Sequence, residues 1–256
     1  MSYSTIAVTN EAGVTEIALN RPDKLNSVNS AMIDELRAAL DQSAQSRAVL
    51  IRGEGRAFCA GRDLAEADPV NEDATAILRA GFTPLLTRIY EFPAPTIAAV
   101  HGACMGAGLG LAFACDIVLA ADDAQISSPF GRLGAVLDSG GHHHFAALLG
   151  RHLALELIYT GRRLSGREAS ERGLVNRSMA ATELTEAARK MAREIAAGPT
   201  AAFQISKRVL LGTYRGQFAE TLEAEAVAQG DASRTADYQE GMRAFIEKRA
   251  PAFKGR

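Results

Sequence analysis

The chain has 256 residues, enough to bury the core of one large domain or of a domain with a helical extension. Apolar residues make up 47% and charged residues 23%, the formal net charge is −2, and lysines and arginines are dispersed, so no basic stripe marks nucleic acid as a main partner. Cys59, Cys104 and Cys115 sit in apolar surroundings without a CxxC pair, and Met1 to Thr5 carries no signal-peptide pattern, which together predict a reduced, cytoplasmic protein.

Ile6-Ala7-Val8 and Val14 to Leu19 flank Asn10-Glu11-Ala12-Gly13, a hairpin signal. Asn29 is placed to cap a helix in which Met32, Ile33, Leu36 and Leu40 recur at helical spacing. Ala48 to Ile51 reads as a short buried strand ending at Gly53. A less regular, partly charged stretch over about residues 65–76 precedes a helix over about 77–90. The run from Ala94 to Cys115 has no acidic or basic residue apart from His101 and is long enough to span a bilayer. Pro95 and the glycines at 102, 106, 108 and 110 break it, however, and Asp116 closes it. Thr96 to Val100 within it reads as a buried strand that turns through those glycines into a helix, so a soluble core and no membrane partner are expected.

Ile117 to Ala120 is another buried strand, and after Gly141 the pattern becomes helical. Ser165 and Glu168 fit a capping box on a short helix that stops at Gly173. From Thr182 onward helices are punctuated by Gly198-Pro199, Gly212 and Gly230. Strand-and-helix units followed by helices predict an α/β body over residues 1–197 and a helical C-terminal region over residues 198–256.

Two turns are rich in small residues: Phe58-Cys59-Ala60-Gly61-Arg62-Asp63-Leu64, and His101 to Gly110 at the start of a helix. Small residues let a backbone approach a ligand closely, and a helix N-terminus offers unpaired N–H groups. Two such turns facing each other could hold an oxygen as it becomes an enolate; equally, the glycines could serve only close helix–strand packing. The second turn reads G-x-G-x-G rather than GxGxxG and lacks the following acidic residue, which makes a nicotinamide site a weak alternative. Asp138 is the single acid between Asp123 and Glu156, set among apolar residues and glycines. It either caps the helix that starts near Gly140 or moves protons in a dry pocket. His142-His143-His144 cannot converge on one metal ion, because consecutive helical residues point about 100° apart. Packing or surface histidines are expected there, with a supporting acid or base at the pocket edge as the alternative. No metal site is predicted.

The sequence resembles the crotonase (enoyl-CoA hydratase/isomerase) family over nearly its whole length. The likeness rests on Leu19 to Asn26, on both small-residue turns, on Cys115-Asp116-Ile117, and on Leu133-Gly134 through Gly141. It implies a spiral of ββα units with a helical C-terminal trimerisation region, a homotrimer or dimer of trimers, and acyl-CoA thioesters as substrates without a further cofactor. It also implies oxyanion donors at the backbone N–H groups of Arg62 and Ala107, and CoA contacts from Asp23, Lys24, Leu25, Arg62, Asp63, Leu64 and Lys254. Phe253 and Lys254 resemble family residues that reach CoA in a neighbouring subunit.

Hydratases of the family use two glutamates to move a water, and their positions fall here on Gly110 and Phe130, with Phe130 placed in the acyl pocket. Asp138 falls where several isomerase branches keep a catalytic aspartate. The phenylacetate-pathway branch that isomerises epoxyphenylacetyl-CoA is the most similar, through Phe130, Asp138 to Gly141, Arg234 to Tyr238 and Phe245 to Arg249. The resemblance therefore implies an isomerase with Asp138 as its one base. Hydration with a substitute acid or base, other enolate chemistry on the same scaffold, and a non-catalytic CoA-binding subunit are the alternatives.

Overall fold

The computed structural model describes residues 3–68 and 71–256. β1 (Ile6–Glu11) and β2 (Val14–Leu19) form the expected hairpin, with Ala12 and Gly13 both at positive φ. Such a turn twists in the same sense as the strands it joins. α1 (Ser30–Gln42) starts at Asn29, whose side chain accepts the Met32 N–H at 3.0 Å, and it buries the four apolar positions that its spacing predicts. β3 (Ala48–Gly53) follows and pairs in parallel with β2. Helix then begins at Ala74 rather than at 77: α2 (Ala74–Ile77) is capped by the Asp73 side chain. It passes through one π turn (Leu78–Phe82) into α3 (Thr83–Tyr90).

The next two units share a plan. β4 (Thr96–Val100), buried at every residue, joins the large sheet; β5 (Ala103–Met105) joins a small one; α4 (Ala107–Phe113) closes the unit. β6 (Ile117–Ala121) again enters the large sheet, β7 (Gln125–Ser127) the small one, and α5 (Gly141–Thr160) follows after a 3-10 turn at Pro129–Leu133. β8 (Leu164–Ser165), α6 (Gly166–Glu171), β9 (Arg177–Met179) and α7 (Ala181–Ala197) complete the body. The large sheet runs β1-β2-β3-β4-β6-β9 and the small one β5-β7-β8. This is the ββα spiral that the resemblance implies: successive units step along the large sheet while their second strands stack beside it. Near-continuous apolar runs such as β4 suit parallel strands covered on both faces.

The C-terminal helices are α8 (Thr200–Ser233) and α9 (Ala236–Ile246). Gly212 and Gly230 do not interrupt α8, contrary to the punctuation expected from sequence. A Cβ on Gly230 would run into the Thr75 hydroxyl, which donates to the Ala226 carbonyl at 3.0 Å, so this glycine lets α2 lie against α8. The capping box at Ser165 is only half formed. Its hydroxyl accepts the Glu168 N–H at 3.0 Å, but the Glu168 carboxylate turns to Arg162 and Arg172. No helix among the described residues is long and apolar enough to cross a membrane.

Asn26 ties the loop after β2 to the chain after β3. It is fully buried at φ 55, a left-handed conformation that asparagine tolerates. Its side chain accepts the Arg21 N–H at 2.8 Å and donates to the carbonyls of Glu54 (2.9 Å) and Ala57 (2.8 Å). Asn26→Ala leaves three backbone groups without these partners, at roughly 1–3 kcal/mol for each that stays buried. The expected loss is about 3 kcal/mol or more, read as a fall in the urea midpoint; an unchanged midpoint would show that water replaces the amide freely.

Candidate active site

The two small-residue turns run side by side. Cys59 and Cys104 form an isolated parallel bridge, in which the Cys59 N–H donates to Ala103 (3.0 Å) and the Met105 N–H to Cys59 (3.0 Å). Three residues further along, the same register sets Arg62 beside Ala107. Gly61 (φ 105) and Gly106 (φ 54) make the intervening bends, and a Cβ on Gly106 would lie only 3.7 Å from the Gly61 Cα. At Gly108 a Cβ would strike the Cys59 carbonyl, so α4 starts pressed against the first turn. Val28 donates to the Gly61 carbonyl and accepts from the Asp63 N–H, both at 2.8 Å, which leaves the Arg62 N–H outside that bridge. The Arg62 N–H has no acceptor among the described residues, and Ala107 opens α4, where N–H groups lack partners within the helix.

Both residues line a cavity of about 620 Å³. Lys24, Asp63, Leu64, Phe130 and Asp138 line it too, whereas Asp23, Leu25 and Lys254 do not. Asp23 and Leu25 remain on the adjoining 3-10 turn at Pro22–Lys24. The tail that carries Lys254 folds back on its own α9, with the Lys254 and Gly255 N–H groups donating to Asp237 at 2.6 and 2.7 Å. Two of the charged side chains already have protein partners. The Arg62 guanidinium meets Glu72 in a fork of 2.8 and 2.7 Å, and Asp63 accepts from Arg21 (2.8 Å) and from the Ala65 N–H (3.1 Å).

Asp138 follows the 3-10 turn and precedes α5. It is buried, and its carboxylate accepts the Ser139 hydroxyl at 2.7 Å. It does not cap α5: Gly140 occupies the cap position, and the Asp138 side chain makes no cap hydrogen bond. That work falls to Glu225 of α8, whose oxygens accept the Gly140 N–H (2.7 Å) and the His142 N–H (2.9 Å). Burial pushes the Asp138 pKa up from the ordinary carboxylate value to about 7. The Ser139 hydroxyl, the Arg62 charge and His142 pull it down, while the nearby Glu225 pushes it further up.

Position 110 explains why a glycine stands there. A Cβ would lie 2.5 Å from the Ser139 Cβ and 2.6 Å from its carbonyl oxygen, so the Asp138-Ser139 segment fills the space a side chain would need. The Phe130 ring packs over Gly106, 3.7 Å from where a Cβ would stand. None of the three histidines lines the cavity. His142 Nδ1 lies 2.9 Å from Glu225, and His143 and His144 pack in an aromatic cluster with Tyr90 and Phe218. No group of three His, Cys, Asp or Glu side chains able to hold a metal occurs among the described residues. The cysteines are buried and free, and burial pushes Cys59 and Cys115 to about 12, so these thiols stay protonated.

Among the residues at the site that sequence reasoning missed are Glu225, Gln229 and Tyr238. Glu225 and Gln229 share the buried stripe of α8 with Phe218, Leu222 and Ala226. A polar residue at helical spacing within an apolar stripe is the signal that could have found them. Gln229 and Tyr238 line the cavity with Met242 and Phe245, so the C-terminal helices form part of its wall. Tight contacts seat α9 there: a Cβ on Gly134 would lie 2.6 Å from the Asp237 carbonyl, and one on Gly241 would strike the Leu133 carbonyl.

Residues 9–256 match the family described as Enoyl-CoA hydratase/isomerase. A protein of Rhodobacter capsulatus named "Probable enoyl-CoA hydratase" is 37% identical over 257 residues, covering 100% of both chains. The 1,2-epoxyphenylacetyl-CoA isomerase of Escherichia coli is 36% identical and covers 96% of this chain and 97% of its own. The crystal structure of an enoyl-CoA hydratase from Mycobacterium avium subsp. paratuberculosis superposes with a TM-score of 0.88 at 29% identity, covering 99% of this chain and 100% of that one.

The raised Asp138 pKa couples stability to pH. Between the unfolded value near 4 and the folded value of about 7, the folded chain holds a proton that the unfolded chain has lost. Stability contributed by this group therefore falls as pH rises through that window and levels off above it. Asp138→Asn should match the parent protein near pH 4 and exceed it at pH 8 by an amount on the order of a few kcal/mol, measured by urea unfolding at both pH values. Equal differences at the two pH values would refute the assignment. Gly110→Ala must displace backbone, and we expect about 1–3 kcal/mol of destabilisation by the same assay.

Proposed function

We propose that this chain, which belongs to the enoyl-CoA hydratase/isomerase family, is an acyl-CoA isomerase that works through an enolate with Asp138 as its single base. The observation that carries this reading is the cavity's acid inventory. Among the described residues that line it, the only carboxylates are Asp63, held by Arg21, and Asp138, which has no cationic side chain bonded to it.

The thioester carbonyl oxygen would sit between the N–H groups of Arg62 and Ala107. Asp138 takes a proton from the carbon alpha or gamma to the thioester, and the released electron pair moves into a dienolate whose charge rests on that oxygen. Each N–H donor is worth roughly 3 kcal/mol in such a transition state. The protonated Asp138 then returns the proton at the other end of the system, shifting the double bond or opening a ring-CoA thioester to rearrangement. A base with a pKa of about 7 is half ionised at neutral pH and takes a proton more readily than an ordinary carboxylate.

The substrate is a CoA thioester and no further cofactor is needed. Lys24 at the cavity rim, with Asp23, Leu25 and Leu64 nearby, would receive the nucleotide end. Phe130 and the apolar wall from Ile77, Leu78, Phe82 and Met242 would receive the acyl group. A homotrimer or dimer of trimers would cover the apolar residues that α8 exposes, including Ile205, Val209 and Leu210, and would let Lys254 reach CoA in a neighbouring subunit. A cytoplasmic location fits three free, buried cysteines. Hydration is the second reading, favoured by the name of the Rhodobacter capsulatus relative.

Asp138→Asn should lower turnover by about 10²–10⁴-fold while acyl-CoA binding stays within a few fold, the range for removing a positioned base. Full activity in that variant would refute the role. A panel of enoyl-CoA and ring-CoA thioesters in deuterated water separates the readings. Deuterium at the alpha and gamma carbons without net water addition is expected, and a 3-hydroxyacyl product would establish hydration instead.

A further inference from the structure

The segment that carries Asp138 is held from one side by a single helix. Gln229 Oε1 accepts the Val136 N–H at 2.9 Å, two residues before Asp138. Glu225 Oε2 accepts the Gly140 N–H at 2.7 Å, two residues after it, and Oε1 accepts the His142 N–H and faces His142 Nδ1, both at 2.9 Å. The two acceptors stand four residues apart and so project from one face of α8. Between these anchor points Ser139 and Gly140 adopt consecutive left-handed conformations (φ 61 and 81), which turn the Asp138 carboxylate back onto the Ser139 hydroxyl. Both α8 side chains are more than nine-tenths buried.

We propose that Glu225 and Gln229 are positioning residues: they grip the chain on either side of Asp138, and Glu225 does so with a second carboxyl group set beside that segment. The proposal rests on Asp138 being the base. An acid buried beside a second acid is harder to ionise, whereas a neutral anchor such as Gln229 holds its backbone N–H and adds no charge. The charged or titratable groups facing Asp138 from the packed elements are Glu225 on α8, Arg62 on the first turn, His142 on α5 and Tyr238 on α9. Arg62 is forked onto Glu72. Glu225 on α8 is a group whose charge can be removed without touching either oxyanion turn.

Replacing one anchor at a time gives opposite signs. Glu225→Gln loses the charge and one of the two acceptor oxygens, because an amide nitrogen donates and cannot accept the Gly140 or His142 N–H. The Asp138 titration should therefore move to lower pH by at least half a unit while one anchor is released. Gln229→Glu keeps the acceptor for Val136 and adds a charge, so the titration should move to higher pH. Glu223→Gln, one exposed turn surface away and paired with Arg79, should leave it unchanged. The titration is read from the carboxyl infrared bands of the whole protein, as the difference from Asp138→Asn, and needs no substrate. Alpha-proton exchange of an enoyl-CoA is followed in parallel, with kcat expected to fall at least tenfold in Glu225→Gln and KM to stay within about twofold.

Shifts of opposite sign support the proposal. No shift in either folded variant, or shifts of one sign, would overturn it; if Glu225→Gln does not fold, the sign seen in Gln229→Glu decides alone. Failure of the isomerase reading shows separately, as full exchange activity in Asp138→Asn or no exchange in the parent protein, because the titration stands apart from turnover.

Discussion

The close approach of two backbone turns is the constraint on which the site depends. The Cys59–Cys104 bridge sets their register, glycine at 61 and 108 lets the chains come so near, and the positive φ of Gly106 makes the bend between them. Backbone donors cannot be moved independently of the fold, so placing the Arg62 and Ala107 N–H groups side by side requires the strands behind them to be fixed first. β3 and β4 supply that base in the large sheet, with Asn26 and Val28 clamping the first turn from the front. Donors fixed in advance need no reorganisation when charge develops on a bound oxygen, which is what makes such a pair effective.

Desolvation then gives the opposite wall its chemistry. A carboxylate in an apolar cavity costs free energy when ionised, and Asp138 meets that cost by holding its proton to about pH 7. The same segment fills the space at Gly110, so one short stretch both carries Asp138 and excludes a side chain from position 110. Glu225 completes the arrangement. It satisfies the N-terminal N–H groups of α5, a task that Asp138 would otherwise be well placed to perform, and leaves Asp138 free for the cavity.

Much of this was legible in the chain. Buried strands such as Thr96 to Val100, the Asn29 cap and the hairpin at Ala12-Gly13 are local features, each fixed by periodicity or by a residue's own backbone preferences. β7, β8 and β9 were not legible, since two or three residues carry no period and become strands only by pairing with neighbours. Gly212 and Gly230 looked like helix ends because glycine weakens a helix locally. α8 runs through them, and the close packing at Gly230 is a contact with residue 75, far away in sequence.

The candidate site divides along the same line. The sequence determined by itself that two small-residue turns could bring backbone donors to a ligand, and that Asp138 stood isolated among apolar neighbours. Those are properties of residue type and spacing. Only the tertiary structure decided that Asp138 is no helix cap, that Arg62 and Asp63 are occupied by Glu72 and Arg21, and that Glu225, Gln229 and Tyr238 belong beside the cavity. The physical reason is that desolvation and hydrogen-bond competition depend on which distant groups arrive at a site. The groups that hold the Asp138 segment arrive on α8, about ninety residues further along the chain.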